Sequence, residues 1–242
     1  MVVPRLDRPG GLRSLTPAYD RGFDRPGSPK TGRRTTGGSG RGPARDLARA
    51  HWYVAGMFLI DLGDGAELRP LEPWQAEEFL AHLDRARETV DPWVPWASRS
   101  TDLESARGSL RRYADLGARD AGRLYGIWLD GTLVGGTMFV SFDVVAGTCE
   151  LGCWLEPAGQ GRGLITRAAG HLVDWAVRVR GIHRVEWLTR PDNTASSNVA
   201  RRLGMRLDGV MREDYLHLGV RYDTEVWALL APEWAGLAAI ER

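Results

Sequence analysis

The chain has 242 residues, of which 43% are hydrophobic and 26% charged, so it is long enough for one or two domains with a sizeable core. The formal net charge is only +1. No apolar run approaches the roughly 18 residues that span a bilayer, which argues against a membrane protein.

The first fifty residues differ in composition from the rest. They carry ten Arg and one Lys against four Asp, a balance of +7, together with nine Gly and six Pro, whereas the remainder carries −6. Such a segment cannot bury enough apolar surface to offset the ordering of its backbone. We expect residues 1–50 to form a disordered basic extension and residues 51–242 to form a single domain. Tails rich in Arg and Gly can contact nucleic-acid phosphates, but we favour a solvated extension without a nucleic-acid partner.

Two strands and two helices are predicted in the first half of the domain. The segment "MFLIDLGDGAELRPL" has the alternation of two short strands joined by a turn at 63–65. Pro73 then opens an amphipathic helix, "PWQAEEFLAHLDRARE". The two prolines of "DPWVPWASRS" forbid its continuation. Asp102 is placed to cap a second helix, which we expect to reach about Leu116.

From Leu124 onwards the pattern is mainly that of strands. "LYGIWLDGTLVGGTMFVSF" predicts a hairpin that turns at Asp130-Gly131, and "TCELGCWLE" predicts a further strand. A glycine-rich turn, a helix and the strand "RVEWLT" follow. A short helix is bounded by Asn193 and Gly204, and two closing strands come after it. Hairpins beside a single strand–helix–strand unit predict an α+β fold, with a mixed, mostly antiparallel sheet flanked by helices.

Two cysteines, Cys149 and Cys153, fall on one predicted strand. Four residues of strand separate their Cα atoms by ~13 Å, about twice the distance that a disulfide allows. Cys and His are nowhere spaced as in a zinc site, so we expect no metal. Free core cysteines are typical of a reducing compartment, and we expect a cytoplasmic protein.

The glycine-rich turn "GQGRG" lies between a strand and a helix. The first N–H groups of a helix lack intrahelical partners and carry the positive end of its dipole. Because Gly161 and Gly163 have no Cβ, an anion can approach those N–H groups closely. Arg162 adds a charge and Thr166 a hydroxyl. A Walker loop is excluded because the required Lys is absent. A dinucleotide fingerprint fits poorly because Thr166 stands at its third small position.

Two motifs in this half of the chain resemble those of the GNAT N-acyltransferase superfamily, most closely its RimJ/RimL branch. The resemblance covers roughly Glu67 to Trp234. Gln160 and Gly163 match the family's acyl-CoA pyrophosphate motif, whereas Ile165 stands where a small residue is usual. A second motif, Asn-x-x-Ser followed by Leu-Gly-Phe, is matched by the following residues, with Met in the place of Phe: Asn193, Ser196, Leu203, Gly204 and Met205.

This resemblance implies a GNAT fold and direct transfer of an acyl group, most simply acetyl from acetyl-CoA, to a primary amine. The amine can be a protein N-terminus, a lysine or a small molecule. Acyl-CoA is expected between the two strands that flank the helix, and homodimers are common among such proteins. The residues expected to bind the coenzyme are Leu155, Gln160, Gly161, Arg162, Gly163, Leu164, Ile165, Thr166 and Asn193. Transfer of succinyl or another acyl group, and a non-catalytic acyl-CoA-binding module, remain open as alternatives.

Three residues are candidates for moving protons. Glu150 is a carboxylate in an otherwise apolar strand, which costs free energy unless it is paired or used. The resemblance implies a general base at this position, with a structural carboxylate as the alternative. Ser196 matches a serine that lies near the coenzyme thiol, although it also suits a helix N-terminal turn. Tyr215 stands where RimL-type enzymes carry a carboxylate, so the identity of the base stays open between several residues.

Paired tryptophans precede the second helix. Trp93 and Trp96 lie where the family's acceptor-facing loop is expected. If exposed, their rings would form an apolar wall for a substrate. Packing of the same rings into the core is the alternative.

Overall fold

The computed structural model describes residues 59–94 and 96–239. The predicted extension, residues 1–50, and the first residues of the predicted domain lie outside the described residues. The described helices and strands follow the predicted order. The strands are β1 (Ile60–Gly63), β2 (Ala66–Pro70), β3 (Arg123–Leu129), β4 (Thr132–Asp143), β5 (Thr148–Leu155), β6 (Arg184–Thr189), β7 (Arg206–His217) and β8 (Val220–Leu230). The helices are α1 (Ala76–Val90), α2 (Trp96–Arg99), α3 (Leu103–Ala118), α4 (Leu164–Arg178) and α5 (Thr194–Arg202).

The eight strands form one sheet in the order β1-β2-β3-β4-β5-β6-β8-β7. Among the described strands, only β5 and β6 pair in parallel, while each other neighbouring pair is antiparallel. The β3–β4 hairpin turns at Asp130 and Gly131, which have φ angles of 48° and 79°. Both angles lie in the left-handed region that such a turn requires. The predicted α+β fold with a mostly antiparallel sheet is confirmed.

Helices cover both faces of the sheet. On one face α4 packs against a cluster that includes Cys149, Leu151 and Cys153 of β5. On the other face Trp154 joins a cluster built with α1 and α3. The alternation of β5 therefore buries both faces, and the two cysteines are free and buried.

The helix ends follow local signals. The Asp102 side chain accepts a hydrogen bond from the Ser105 N–H at 2.8 Å and caps α3, as predicted. Helix α1 ends at Val90, ahead of Pro92, as predicted, and a single further turn, α2, forms in the same segment. Within the described part of the chain, no helix is both long and apolar enough to cross a bilayer.

A buried polar network ties α1 to the end of β5. The Nδ1 atom of His82 lies 3.1 Å from a carboxylate oxygen of Glu156, and the indole N–H of Trp154 donates to the His82 Nε2 atom at 2.8 Å. His82 is fully buried, and burial, followed by the positive charge of Arg85, lowers its pKa from 6.5 to about 4. His82 is therefore neutral in the folded protein at physiological pH.

This lowered pKa predicts a loss of stability in mild acid. As the pH falls below 6.5, the unfolded chain takes up a proton at His82 while the folded chain does not, so the free energy of unfolding decreases down to about pH 4. The shift corresponds to about 3 kcal/mol over that window. Urea unfolding of the wild type and of His82→Gln at pH 7.5 and 4.5 measures it. The wild type should lose more stability than the variant, and equal losses would contradict the prediction.

Candidate active site

The parallel strands β5 and β6 separate half-way along their length. They pair from Thr148 with Arg184 to Leu151 with Trp187, and no pairing is recorded beyond that point. β4 continues to pair with β5 as far as Leu155. The second half of β5 thus has a backbone edge without a β6 partner among the described residues. This V-shaped opening gives room for an extended ligand that bonds to the β5 backbone.

The glycine loop, residues 160–163, lies at the wide end of this opening. Gly161 and Gly163 adopt φ angles of 77° and 71°, and a Cβ atom on either residue would project into open space. Helix α4 begins directly afterwards without a side-chain N-cap. The first N–H groups of α4 are therefore available to an anion, because no side chain of residues 161 or 163 covers them. Gly159, in contrast, is buried, and its Cβ would lie 2.7 Å from Leu155 Cδ1, so it serves packing.

A cavity of about 670 Å³ adjoins the glycine loop. It is bounded by the β1–β2 hairpin, the loop, the first turns of α4 and the end of α5. Its lining residues are Asp61, Leu62, Gly63, Gly161, Gly163, Thr166, Arg167, His171 and Arg202. The sequence pointed to three of these residues, and the hairpin, Arg167, His171 and Arg202 were missed. They approach the loop only through the tertiary fold, and no local pattern marks them.

Arg167 contributes a charge to this cavity. Its Nη2 atom lies 3.3 Å from Asp64 in the turn between β1 and β2. Its Nε atom is buried and has no hydrogen-bond partner within the described residues. A buried guanidinium N–H without an acceptor is costly. An anion held at the start of α4 would supply one.

The residues predicted to bind the coenzyme are arranged along this path. Gln160 to Gly163 are exposed, and Leu155 ends the half of β5 that does not pair with β6.

The other predicted coenzyme residues lie in α4 and at the start of α5. The side chains of Leu164 and Ile165 point into the core, so their backbone N–H groups alone are available. Thr166 lines the cavity. Asn193 caps α5 by accepting a hydrogen bond from Ser196 N–H at 3.2 Å. Coenzyme binding by these residues stays a prediction.

Glu150 lies where the two strands begin to part. It is buried, with 4% of its surface exposed, and its register partner on β6 is Glu186. Glu186 receives a 2.8 Å hydrogen bond from Arg184. Glu150 also acts on Tyr113 of α3: burial raises the pKa of the Tyr113 hydroxyl, and the negative charge of Glu150 raises it further. Glu150 is therefore a carboxylate in a low-dielectric position at the apex of the V.

Ser196 approaches the same apex from the opposite face of the sheet. Its Oγ atom accepts a 3.0 Å hydrogen bond from the indole N–H of Trp187, which belongs to the last paired rung of β5 and β6. An indole nitrogen can only donate. The serine proton is consequently available to a further acceptor. Trp187 thus orients a buried hydroxyl at the last paired rung of the two strands.

The thiols on β5 are poorly suited to covalent catalysis. Burial, reinforced by the carboxylates of Glu186 and Glu150, raises the pKa of Cys149 well above its usual range. A thiol that stays protonated is a weak nucleophile. This arrangement favours direct transfer over an acyl-cysteine intermediate.

The two predicted substrate tryptophans have different surroundings. Trp93 is half-buried, and the guanidinium of Arg190 lies 4.9 Å from its ring centroid. The Tyr215 hydroxyl donates to the Trp93 carbonyl oxygen at 3.3 Å. Tyr215 and Trp93 are thus brought together, on a wall formed by the segment after α1 and strand β7.

Trp96 instead belongs to an aromatic cluster. Its ring centroid lies 4.6 Å from that of Trp154 and 5.4 Å from that of Phe79. This packing favours the core alternative that the sequence left open. A substrate contact for Trp96 stays a prediction. The nearby carboxylates of β7 lie at a bulge, where Glu213 is exposed with a φ angle of 51°.

Comparison with known proteins identifies the family. The model of the acetyltransferase (GNAT) domain matches residues 66–206, more than half of the chain. The chain belongs to the GNAT acetyltransferase family. The matched range includes β5, the glycine loop, α4, β6 and α5, and therefore both the V-shaped opening and the exposed start of α4.

The relatives of this GNAT chain include N-acetyltransferases. It is 28% identical over 185 residues to the putative ribosomal N-acetyltransferase YdaF of Bacillus subtilis, covering 74% of this chain and 99% of YdaF. It is 26% identical over 154 residues to the ribosomal-protein-serine acetyltransferase of Escherichia coli, covering 64% and 86% of the two chains.

Solved structures agree on the fold. RimL, a ribosomal alpha-N-protein acetyltransferase solved with coenzyme A, has a TM-score of 0.67 at 22% identity, over 71% of this chain and 97% of RimL. Mycobacterium smegmatis RimJ, solved with a CoA disulfide, has a TM-score of 0.66 at 24% identity, over 72% of this chain and 86% of RimJ. The GNAT fold inferred from the two sequence motifs is confirmed.

Proposed function

We propose that this GNAT acetyltransferase transfers the acetyl group of acetyl-CoA to the α-amino group of a protein N-terminus. The observation that carries the proposal is the V between β5 and β6, which ends at a glycine loop and a cavity of about 670 Å³ containing Arg167. Relatives named as ribosomal-protein acetyltransferases support a protein acceptor. The free thiols of Cys149 and Cys153 support a cytoplasmic location. A homodimer stays a prediction.

Proton affinity favours an α-amine over a lysine as the acceptor. An α-ammonium group has a pKa of about 7.7–8.0, whereas that of a lysine is about 10.4. At neutral pH a single carboxylate can therefore deprotonate the α-ammonium with a much smaller energetic penalty. Glu150, buried at the apex of the V, is the base that we assign to this step.

The transfer step requires one base and one acid. Glu150 takes a proton from the acceptor amine, whose nitrogen then forms a C–N bond to the thioester carbonyl carbon. The C–S bond breaks as the nitrogen loses its second proton to solvent, and the leaving thiolate takes the proton of Ser196, which the serine recovers from solvent. Acetyl-CoA supplies the activated acyl group when bound. The backbone N–H groups at the start of α4 hold its pyrophosphate.

Calorimetry and an acceptor panel test this function. Wild-type protein should bind acetyl-CoA, and no binding at high micromolar concentration would overturn the proposal. Thiol release should then be measured with peptides that have a free N-terminus, with matched N-acetylated peptides that contain Lys, and with small amines. Turnover confined to free N-termini is expected. Turnover of the blocked peptides alone would assign the acceptor to lysine, and faster turnover with succinyl-CoA would reassign the acyl group.

Replacing Arg167 by Gln should weaken acetyl-CoA binding by about tenfold, since a hydrogen bond to a charged group contributes about 1.5–3 kcal/mol. Its Nε atom is the donor that lacks a partner within the described residues. Arg178→Gln, in the last turn of the same helix, is the matched control and should leave the dissociation constant unchanged. Calorimetric titrations that give equal affinities for the two variants would contradict the prediction.

A further inference from the structure

The His82–Glu156–Trp154 network is not explained by the transfer chemistry. Each of the three residues is at most 4% exposed. The charged group that faces His82 from α1 is Arg85, whose Nε atom lies 3.3 Å from the same Glu156 oxygen. From β4 the Leu133 carbonyl faces the cluster and accepts a 2.8 Å hydrogen bond from Arg85 Nη2. The cluster therefore joins α1, β4 and the end of β5.

The hydrogen-bond directions in this network are fixed by chemistry. Because the Trp154 indole can only donate, the His82 Nε2 atom must accept and cannot carry a proton. The single ring proton is then on Nδ1 and is donated to the Glu156 carboxylate. Every member has one defined role, which makes the arrangement rigid.

Glu156 is the residue at which strand β5 becomes the glycine loop. Its backbone N–H donates to the Val134 carbonyl at 2.8 Å, and its own carbonyl accepts from the Gly159 N–H at 3.1 Å. A single 3-10 turn, Pro157–Gly159, then leads into Gln160. These backbone bonds fix where the loop starts relative to the sheet, and the Glu156 side chain ties the same point to His82 of α1. Gly161 and Gly163 allow several backbone conformations, so a fixed start is needed to hold their N–H groups in place.

Stability alone does not account for a buried charge at this place. Helix α1 is already held by fully buried apolar side chains, including Phe79, Leu83 and Ala86. Buried ionic groups are often neutral or unfavourable for stability compared with apolar residues of similar volume. A role in specifying one geometry of the loop explains why a histidine and a glutamate occupy these positions.

We propose that His82 and Glu156 are positioning residues of the coenzyme site, which hold the glycine loop in its binding geometry from helix α1. The inference rests on the proposed function, because it takes the loop to bind the pyrophosphate of acetyl-CoA. A loop that is ordered only on binding pays the cost of ordering from its affinity. The network removes that cost in advance.

Calorimetric titration with acetyl-CoA and steady-state kinetics test the proposal. His82→Leu and Glu156→Ala should each raise the dissociation constant and the KM for acetyl-CoA by about tenfold, the effect of losing preorganisation, with kcat at saturating acetyl-CoA changed less than about twofold. His82→Gln, which keeps one donor and one acceptor, should recover most of the affinity. Glu156→Gln is the milder variant if Glu156→Ala does not fold, and it should show the same split between KM and kcat.

Leu83→Val is the matched control, because Leu83 is fully buried on the same helix but lies outside the polar network. It should lower the free energy of unfolding without changing the affinity for acetyl-CoA. If the His82 and Glu156 variants lose stability and yet bind acetyl-CoA like the wild type, the network is only structural and the proposal is wrong. If the wild type itself does not bind acetyl-CoA, the proposed function fails instead.

Discussion

Glu150→Gln is expected to lower kcat by about 10²-fold or more, within the range for the loss of a general base, while the affinity for acetyl-CoA stays within about twofold of the wild type. The carboxylate is buried at the last rungs that β5 shares with β6. The amide of Gln preserves the volume but cannot accept the ammonium proton. Thiol release under saturating acetyl-CoA and acceptor measures kcat, and calorimetry measures the affinity.

Glu186→Gln is the informative control for this prediction. Glu186 is the register partner of Glu150 on β6, but its carboxylate is engaged by Arg184. We expect its substitution to have a much smaller effect on kcat. A loss confined to Glu186→Gln would transfer the base to that residue, and an unchanged kcat in Glu150→Gln would overturn our assignment.

The parts of this molecule that were predictable depend on short stretches of chain. The apolar alternation predicted the strand β5, and Asp102 and Asn193 marked helix starts through bonds to residues three positions away. The glycine loop is equally local, because a left-handed φ at Gly161 and Gly163 and a free helix start are encoded within five residues. The two family motifs fall on these local elements, and for that reason they could be recognised from the sequence.

The remaining features of the site join residues that are far apart in the chain. Arg167 contacts Asp64, which is 103 positions away in the sequence. Tyr215 donates a hydrogen bond to the Trp93 carbonyl, 122 positions away. His82 and Glu156 are separated by 74 residues, and neither stands in a motif. Trp96 shows the same limit, since its sequence context suits an exposed wall as well as the aromatic cluster in which it lies. Such pairings depend on the packing of helices against the sheet, which periodicity does not specify.

Ser196→Ala is expected to lower kcat by about 10²-fold, the lower end of the effect of losing a general acid, and to leave the affinity for acetyl-CoA nearly unchanged. Trp187 saturates one lone pair of the serine oxygen at 3.0 Å and leaves its proton for the departing thiolate. Without that proton the thiolate leaves as a free anion in a buried site, which raises the barrier to C–S cleavage. Steady-state kinetics with the preferred N-terminal peptide measures the change.

A structural effect must be separated from this chemical one, because alanine also leaves the buried Trp187 N–H without its acceptor, at a cost of about 1–3 kcal/mol. Ser196→Thr keeps the hydroxyl and should recover much of the activity. Ser197→Ala removes a neighbouring buried hydroxyl that bonds to Glu225 at 2.7 Å instead, so it should lower stability while sparing kcat. If Ser197→Ala lowers kcat as much as Ser196→Ala does, Ser196 has no special role, because any damage to α5 then suffices. If only Ser196→Ala does so, and threonine restores activity, the proton comes from the hydroxyl that Trp187 holds.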